Sequence, residues 1–142
     1  MDQEQDLRLE EWEAAVGKIV TSIARVEGEL LLIYEMHFSR TMFKKDKLAE
    51  RVDRIERLYN ENCGKTRRSK ELFKAFRVVV KLRNLVAHNP VYYDSEHDGF
   101  KITNGLRKDE FVEVTALQEE SKQAFKSCTE LTVLLRIWAN NN

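Results

Sequence analysis

Arg83-Asn84-Leu85-Val86-Ala87-His88-Asn89-Pro90 reads as the end of a long basic helix, and the other segments are best understood outward from it. Upstream of Pro90 the residues Lys70, Lys74, Arg77, Lys81, Asn84 and His88 recur with spacing 4-3-4-3-4. At about 3.6 residues per turn, that spacing stacks six side chains into one polar row. Leu72, Phe76, Val79, Val80, Leu82 and Val86 supply the apolar face. Pro90 biases Asn89 away from helical backbone, so the pattern predicts a helix over 69–88. Arg83 falls on the line Phe76-Val80-Arg83-Ala87, at the border between polar row and core. An arginine, an asparagine and a histidine within about one and a half turns have the chemistry of a phosphate site.

Before this helix, residues 9–38 predict another long one. Trp12, Val16, Ile19, Ile23, Val26, Leu30 and Ile33 form one apolar seam, and Gly17, Val20, Ala24, Glu27, Leu31, Tyr34 and Phe38 a second beside it. Glu27 stands where that seam expects an aliphatic side chain. A buried carboxylate needs a cation or several donors, so Glu27 is expected to pair with an arginine of another helix or to orient Arg83 or His88. Ser39–Lys45 reads as a polar break. Residues 46–62 predict a second helix on Leu48, Val52, Ile55, Leu58 and Tyr59, with Lys47, Arg51, Arg54 and Arg57 on its exposed side and Gly64 suited to a left-handed stop. Lys65–Arg68 links it to the 69–88 helix.

After Pro90, Val91-Tyr92-Tyr93 and Phe100-Lys101-Ile102-Thr103 predict a β-hairpin around a five- or six-residue loop, and Asn104-Gly105 a turn. Phe111–Val114 is a candidate third strand. Thr115 and Gln118 have the spacing of a capping box for a last helix on Leu117, Ser121, Ala124, Cys128, Leu131, Leu135 and Trp138, running to about Ala139. The expected fold class is all-α: a four-helix bundle with a small β-hairpin inserted between the third and fourth helices, residues 1–142 forming one domain.

Composition narrows the function classes. With 42% hydrophobic and 34% charged residues, the chain suits a soluble helical protein, and no apolar run is long enough to span a membrane. The acidic start lacks a secretory pattern, and Cys63 and Cys128 are far apart in sequence, which predicts reduced thiols and a cytoplasmic setting. The net charge of zero hides an asymmetry: residues 1–39 carry −6, residues 40–83 carry +9, and residues 84–142 carry −3. A local excess of that size suits a polyanion-binding face, although lysines and arginines also simply solvate amphipathic helices.

Nucleotide-binding glycine loops, a GxSxG elbow, an HExxH pair and a CxxC pair are all lacking, so neither a metal nor a cofactor is expected. His37 reads as a surface or interface residue, His97 as solvated in the hairpin loop, and Cys128 as an inert core thiol. What remains is Arg83, Asn84 and His88. Asn84 and His88 are i, i+4 neighbours able to share one ligand, and Arg83 offers a planar fork to a phosphate oxygen. Histidine titrates in the range that suits proton transfer near neutral pH. RNA cleavage without a metal needs little more: a base for the 2′-OH, a cation for the pentacovalent phosphate, and an acid for the 5′ leaving oxygen. The structural alternative has His88 and Asn84 capping helix carbonyls, with Arg83 paired to Glu27.

The segment resembles the motif of the HEPN superfamily, an arginine, a polar residue that is often asparagine, a few residues and a histidine, which Arg83, Asn84 and His88 match at the end of a helix. The resemblance implies a metal-independent endoribonuclease, of the kind found in toxin–antitoxin, phage-defence and RNA-processing systems, working as a homodimer whose two motifs face one cleft. It implies Arg83 on the phosphate, His88 as acid or base, and Asn84 positioning the scissile group; Lys70, Lys74, Arg77 and Lys81 are the candidates to track the RNA backbone. In the toxin branch a tyrosine often follows the histidine by two positions. That position here is Pro90, so Tyr92 or Tyr93 would stand in where the hairpin folds back onto the site. RNA, a second copy and an antitoxin are the partners implied. The rival reading is a non-catalytic HEPN-like interaction module; a nucleotide-binding sensor is a third.

Overall fold

A computed structural model of the chain describes residues 3–89, 91–103 and 109–141. Helices dominate it: α1 (Gln3–His37), α2 (Arg40–Lys45), α3 (Leu48–Cys63), α4 (Arg67–His88) and α5 (Val114–Asn140). Between α4 and α5 lies a three-stranded antiparallel sheet, β1 (Val91–Asp94), β2 (Gly99–Thr103) and β3 (Asp109–Glu113), in the order β1-β2-β3. No helix among the described residues is long and apolar enough to cross a membrane.

The seams show why α1 and α5 pair most extensively. The whole α5 seam from Leu117 to Trp138 is buried, as is the first α1 seam apart from half-buried Val16. Lys18 and Arg25 meet Phe125, Glu29 pairs with Arg136, and His37 stacks on Trp138, so residue numbers rise together and the two helices run parallel. Helix α4 lies against both and runs antiparallel to α5, Arg68 meeting Glu130. The second α1 seam departs from expectation. Gly17, Val20 and Ala24 are exposed and Glu27 is half-buried, whereas further along the seam Tyr34 is buried and Arg54 of α3 lies over the Phe38 ring.

Helix ends differ from the expected ones for local reasons. Ser39–Lys45 is not a break: the Ser39 hydroxyl accepts from the Met42 N–H and starts α2, giving five helices rather than four among the described residues. Asp46 ends α2, and α3 starts after Lys47, whose N–H donates to the Glu50 carboxylate. Gly64 stops α3 at φ +78°, backbone that favours glycine. Helix α4 begins two residues early, with Thr66 and Ser69 capping each other's backbone N–H. The Thr115/Gln118 capping box does not form: α5 starts at Val114 directly from β3, with Glu113 at the cap and no side-chain hydrogen bond there.

The expected hairpin is two-thirds of the sheet. Asp94 pairs with Gly99, so the loop is the four residues Ser95–Asp98, and β3 pairs with β2 from Gly99↔Glu113 to Thr103↔Asp109. A Cβ on Gly99 would fall 2.5 Å from the Val112 carbonyl oxygen and 2.6 Å from the Phe111 ring, so only glycine fits. The expected Asn104-Gly105 turn, like Pro90, lies outside the described residues. Phe100 packs on Trp12 at 4.7 Å and fastens the sheet to the start of α1.

Candidate functional site

The motif occupies the last turn and a half of α4, held from the side by α1. Arg83 Nη1 lies 3.6 Å from Glu27 Oε1, and Arg51 Nη1 of α3 lies 3.5 Å from Glu27 Oε2. Glu27 thus sits between two guanidinium groups from two helices, which is why a carboxylate is tolerated on that seam. Arg83 also donates from Nη2 and Nε to Asn84 Oδ1, at 3.1 and 3.4 Å. Its side chain is 20% exposed and that of Glu27 32%, so the pair is oriented but open to solvent. Asn84 and His88 are exposed.

Carbonyl capping at this helix end falls to a residue that pattern reading overlooked. Asn89 is extended (φ −115°, ψ 147°), as the residue before a proline should be, and its Nδ2 donates to the Asn84 and Leu85 carbonyls at 3.2 and 2.9 Å. His88 therefore has no capping duty, and its side chain makes no hydrogen bond or ion pair among the described residues.

The basic residues around the motif divide into spent and unspent. Arg51 donates from Nε to the Phe43 carbonyl at 2.9 Å and lies 3.6 Å above the Phe43 ring. Arg54 donates to buried Asp46 at 3.0 Å, and Asp46 also accepts from the Tyr34 hydroxyl at 2.7 Å. That hydroxyl bond, reinforced by Arg54, holds Asp46 below the usual carboxylate range; burial and the same bond push Tyr34 up to about 12. Arg51 and Arg54, expected on an exposed face, are consequently turned inward. Arg77 too is engaged, its Nη2 lying 2.7 Å from Asp53 and 2.8 Å from Glu56 on α3. Lys70, Lys74 and Lys81 are exposed and, among the described residues, carry no ion pair.

The two larger grooves beside α4 among the described residues differ in character. One, about 540 Å³, runs between α3 and α4 and takes in Arg57, Lys65, Lys70, Lys74 and Arg77. The other, about 770 Å³, lies between α4 and α5; Val78, Val79, Leu82, Leu85 and Ala124 line it, with Lys81 and Glu120 among its charged residues. The expected row of four cations is therefore divided: Lys70 and Arg77 belong to the first groove, Lys81 to the second, and Lys74 borders both.

The tyrosines lie elsewhere. The Tyr93 hydroxyl donates to Asp98 at 3.3 Å, Asp98 pairs with Arg8 at 3.0 Å near the start of α1, and the Tyr93 ring packs on Phe100. Tyr93 thus ties the sheet to the start of α1 rather than to Arg83. Tyr92 is 47% exposed on β1. In the hairpin loop Asp94, Glu96 and His97 bring ligand atoms within 4.8 Å of one another, but His97 Nδ1 is 3.0 Å from Asp94 Oδ2 and Lys101 lies 3.9 Å from the same oxygen. That arrangement is a self-satisfied turn. Cys128 is buried, and burial pushes its thiol up to about 11, as expected of an inert core thiol; Cys63 is exposed. Compared with known protein families, with curated proteins and with solved structures, the chain matches none.

Proposed function

We propose that the chain is a metal-independent endoribonuclease of HEPN type, acting as a cytoplasmic homodimer, its helices forming a HEPN-style four-helix bundle with α2 as an added turn. The observation that carries this reading is the state of Arg83: fixed by Glu27 and Asn84, yet one-fifth exposed, with the His88 side chain exposed and unengaged among the described residues about one and a half turns further on. A guanidinium held in place but open to solvent can bind a phosphate without reorganising. One His88 takes the 2′-OH proton as the 2′-oxygen bonds to phosphorus. Arg83 stabilises the pentacovalent phosphate, and the second protomer's histidine protonates the departing 5′-oxygen. The products are a 2′,3′-cyclic phosphate and a 5′-OH. A toxin or phage-defence role, with an antitoxin as partner, belongs to the same reading.

One observation favours the rival, a non-catalytic interaction module. The groove between α4 and α5 is apolar and open, with Val78 62% exposed in it.

The His88→Ala variant separates the two. The enzyme reading expects an intact fold by circular dichroism and cleavage lower by roughly two to four orders of magnitude, the scale of a lost general acid or base. Chelator should leave the wild-type rate unchanged. Unfolding of the variant, or a wild-type protein that leaves a broad RNA panel intact, favours the interaction module.

A further inference from the structure

We propose that the groove between α3 and α4 is a binding site for the phosphodiester backbone of single-stranded RNA, with Arg57 as its phosphate fork. It rests on the ribonuclease reading only in choosing RNA as the polyanion. Residues 40–83 hold eight arginines. Seven of them, Arg40, Arg51, Arg54, Arg67, Arg68, Arg77 and Arg83, lie in ion pairs with carboxylates. Arg57 is the exception: among the described residues it has no ion-pair or hydrogen-bond partner, and it is exposed. Its five N–H donors form a rigid planar fork that matches phosphate oxygens.

The neighbours of Arg57 make it part of a site. Lys65, from the turn after α3, and Lys70 and Lys74, from α4, face the same groove, and none of them has a carboxylate partner among the described residues. The groove's acids, Asp53 and Glu56, are both engaged by Arg77, leaving four unspent cations around a concavity of about 540 Å³. Four like charges brought together by two helices and a turn repel one another, and a polyanion is the ligand that relieves this. Lysines offer mobile point charges and one arginine a directional fork, a combination that follows a flexible backbone without reading bases. The backbone path therefore bends from the motif end of α4 toward α3, and Lys81, in the other groove, lies off it.

The test is binding of a fluorescent oligouridylate carrying 2′-O-methyl groups. Having no 2′-OH to attack, it reports binding whether or not the protein cleaves, so failure of the His88 test leaves this one intact. Fluorescence anisotropy of the wild-type protein should give a slope of log affinity against log salt of about −2 to −3, from four contacts at about 0.7 each. Arg57→Ala should weaken binding about tenfold and reduce the slope by about 0.7. Lys70→Ala, on the opposite wall, should reduce it similarly. Arg57→Lys should restore the slope but not the full affinity, since the fork is lost. Glu56→Gln, which removes one negative charge from the groove and one of the two carboxylates that hold Arg77, should tighten binding. Lys81→Ala should change nothing. Unchanged affinity and slope in folded Arg57→Ala and Lys70→Ala would overturn the proposal. So would an equal loss in Lys81→Ala, or poly-glutamate competing as well as RNA at equal charge.

Discussion

On one side of α4, the groove shared with α3 carries Arg57, Lys65 and Lys70; on the other, the groove shared with α5 is lined by Val79, Leu82 and Ala124. The sequence that makes both is a single helix, and Lys74 borders each of them. They differ because of what faces α4. Helix α3 brings arginines and acids, which pair off until only a few cations remain; α5 brings Glu120, Gln123, Ala124 and Ser127, with no large apolar side chain to fill the groove. A charge count along the chain therefore overstates the basic surface, and an apolar count understates the open one. The fold decides which cations are left over.

The sharpest way to break this comparison is to charge the apolar groove. Val78→Glu replaces a side chain that is 62% exposed, so the fold should survive. If a second copy docks there, light scattering should fall from about twice the 16.7 kDa chain mass to one chain. The proposed cleavage, which would need a histidine from each copy, should fall to background, while the salt slope of the proposed RNA binding stays. A variant that keeps both its mass and its cleavage would remove that groove from the dimer.

Next in size is Gly99→Ala. The added methyl meets backbone of β3, and such overpacking destabilises by about 1–3 kcal/mol. Urea unfolding should move to a lower midpoint. Because Glu110 on β3 lies at the apolar groove and, among the described residues, no strand borders the basic one, the proposed RNA affinity of the folded variant should not change. Equal damage to RNA binding would show that the two grooves are coupled.

The smallest effect concerns the α3 wall. The hydrogen bond from Tyr34, with Arg54, depresses the Asp46 carboxyl in the folded state, so its stabilising contribution is whole above the ordinary carboxylate range and is lost as pH falls through the folded value. Asp94, lowered chiefly by the His97 hydrogen bond, acts with the same sign. Asp46→Asn should unfold at lower urea than wild type at pH 7, and the two midpoints should converge in acid. A constant gap between them would mean that the ionised carboxylate of Asp46 is not what stabilises this corner.

Much of this was legible in the residues themselves. The 4-3 seams of α1 and α5 needed no neighbour to be read, since periodicity alone decides which face is apolar. The stop after His88 followed from Pro90, and the outward row on α4 from its spacing. The inward turn of Arg51 and Arg54 was not readable, because their partners, Glu27 and Asp46, lie 24 and 8 positions away and nothing local points to them. Nor was the capping by Asn89, whose side-chain amide takes the Asn84 and Leu85 carbonyls, a role the sequence leaves to His88 and Asn84. Helix α2 hid behind a polar composition because its start depends on a single Ser39 hydroxyl. Sequence by itself determined where the long helices run and the main buried stripe of α1 and of α5, because those depend on backbone period and local sterics. Tertiary structure alone decided which of the charges between residues 40 and 83 are spent in pairs and which face solvent, because ion pairing depends on side chains that meet only after the helices have packed.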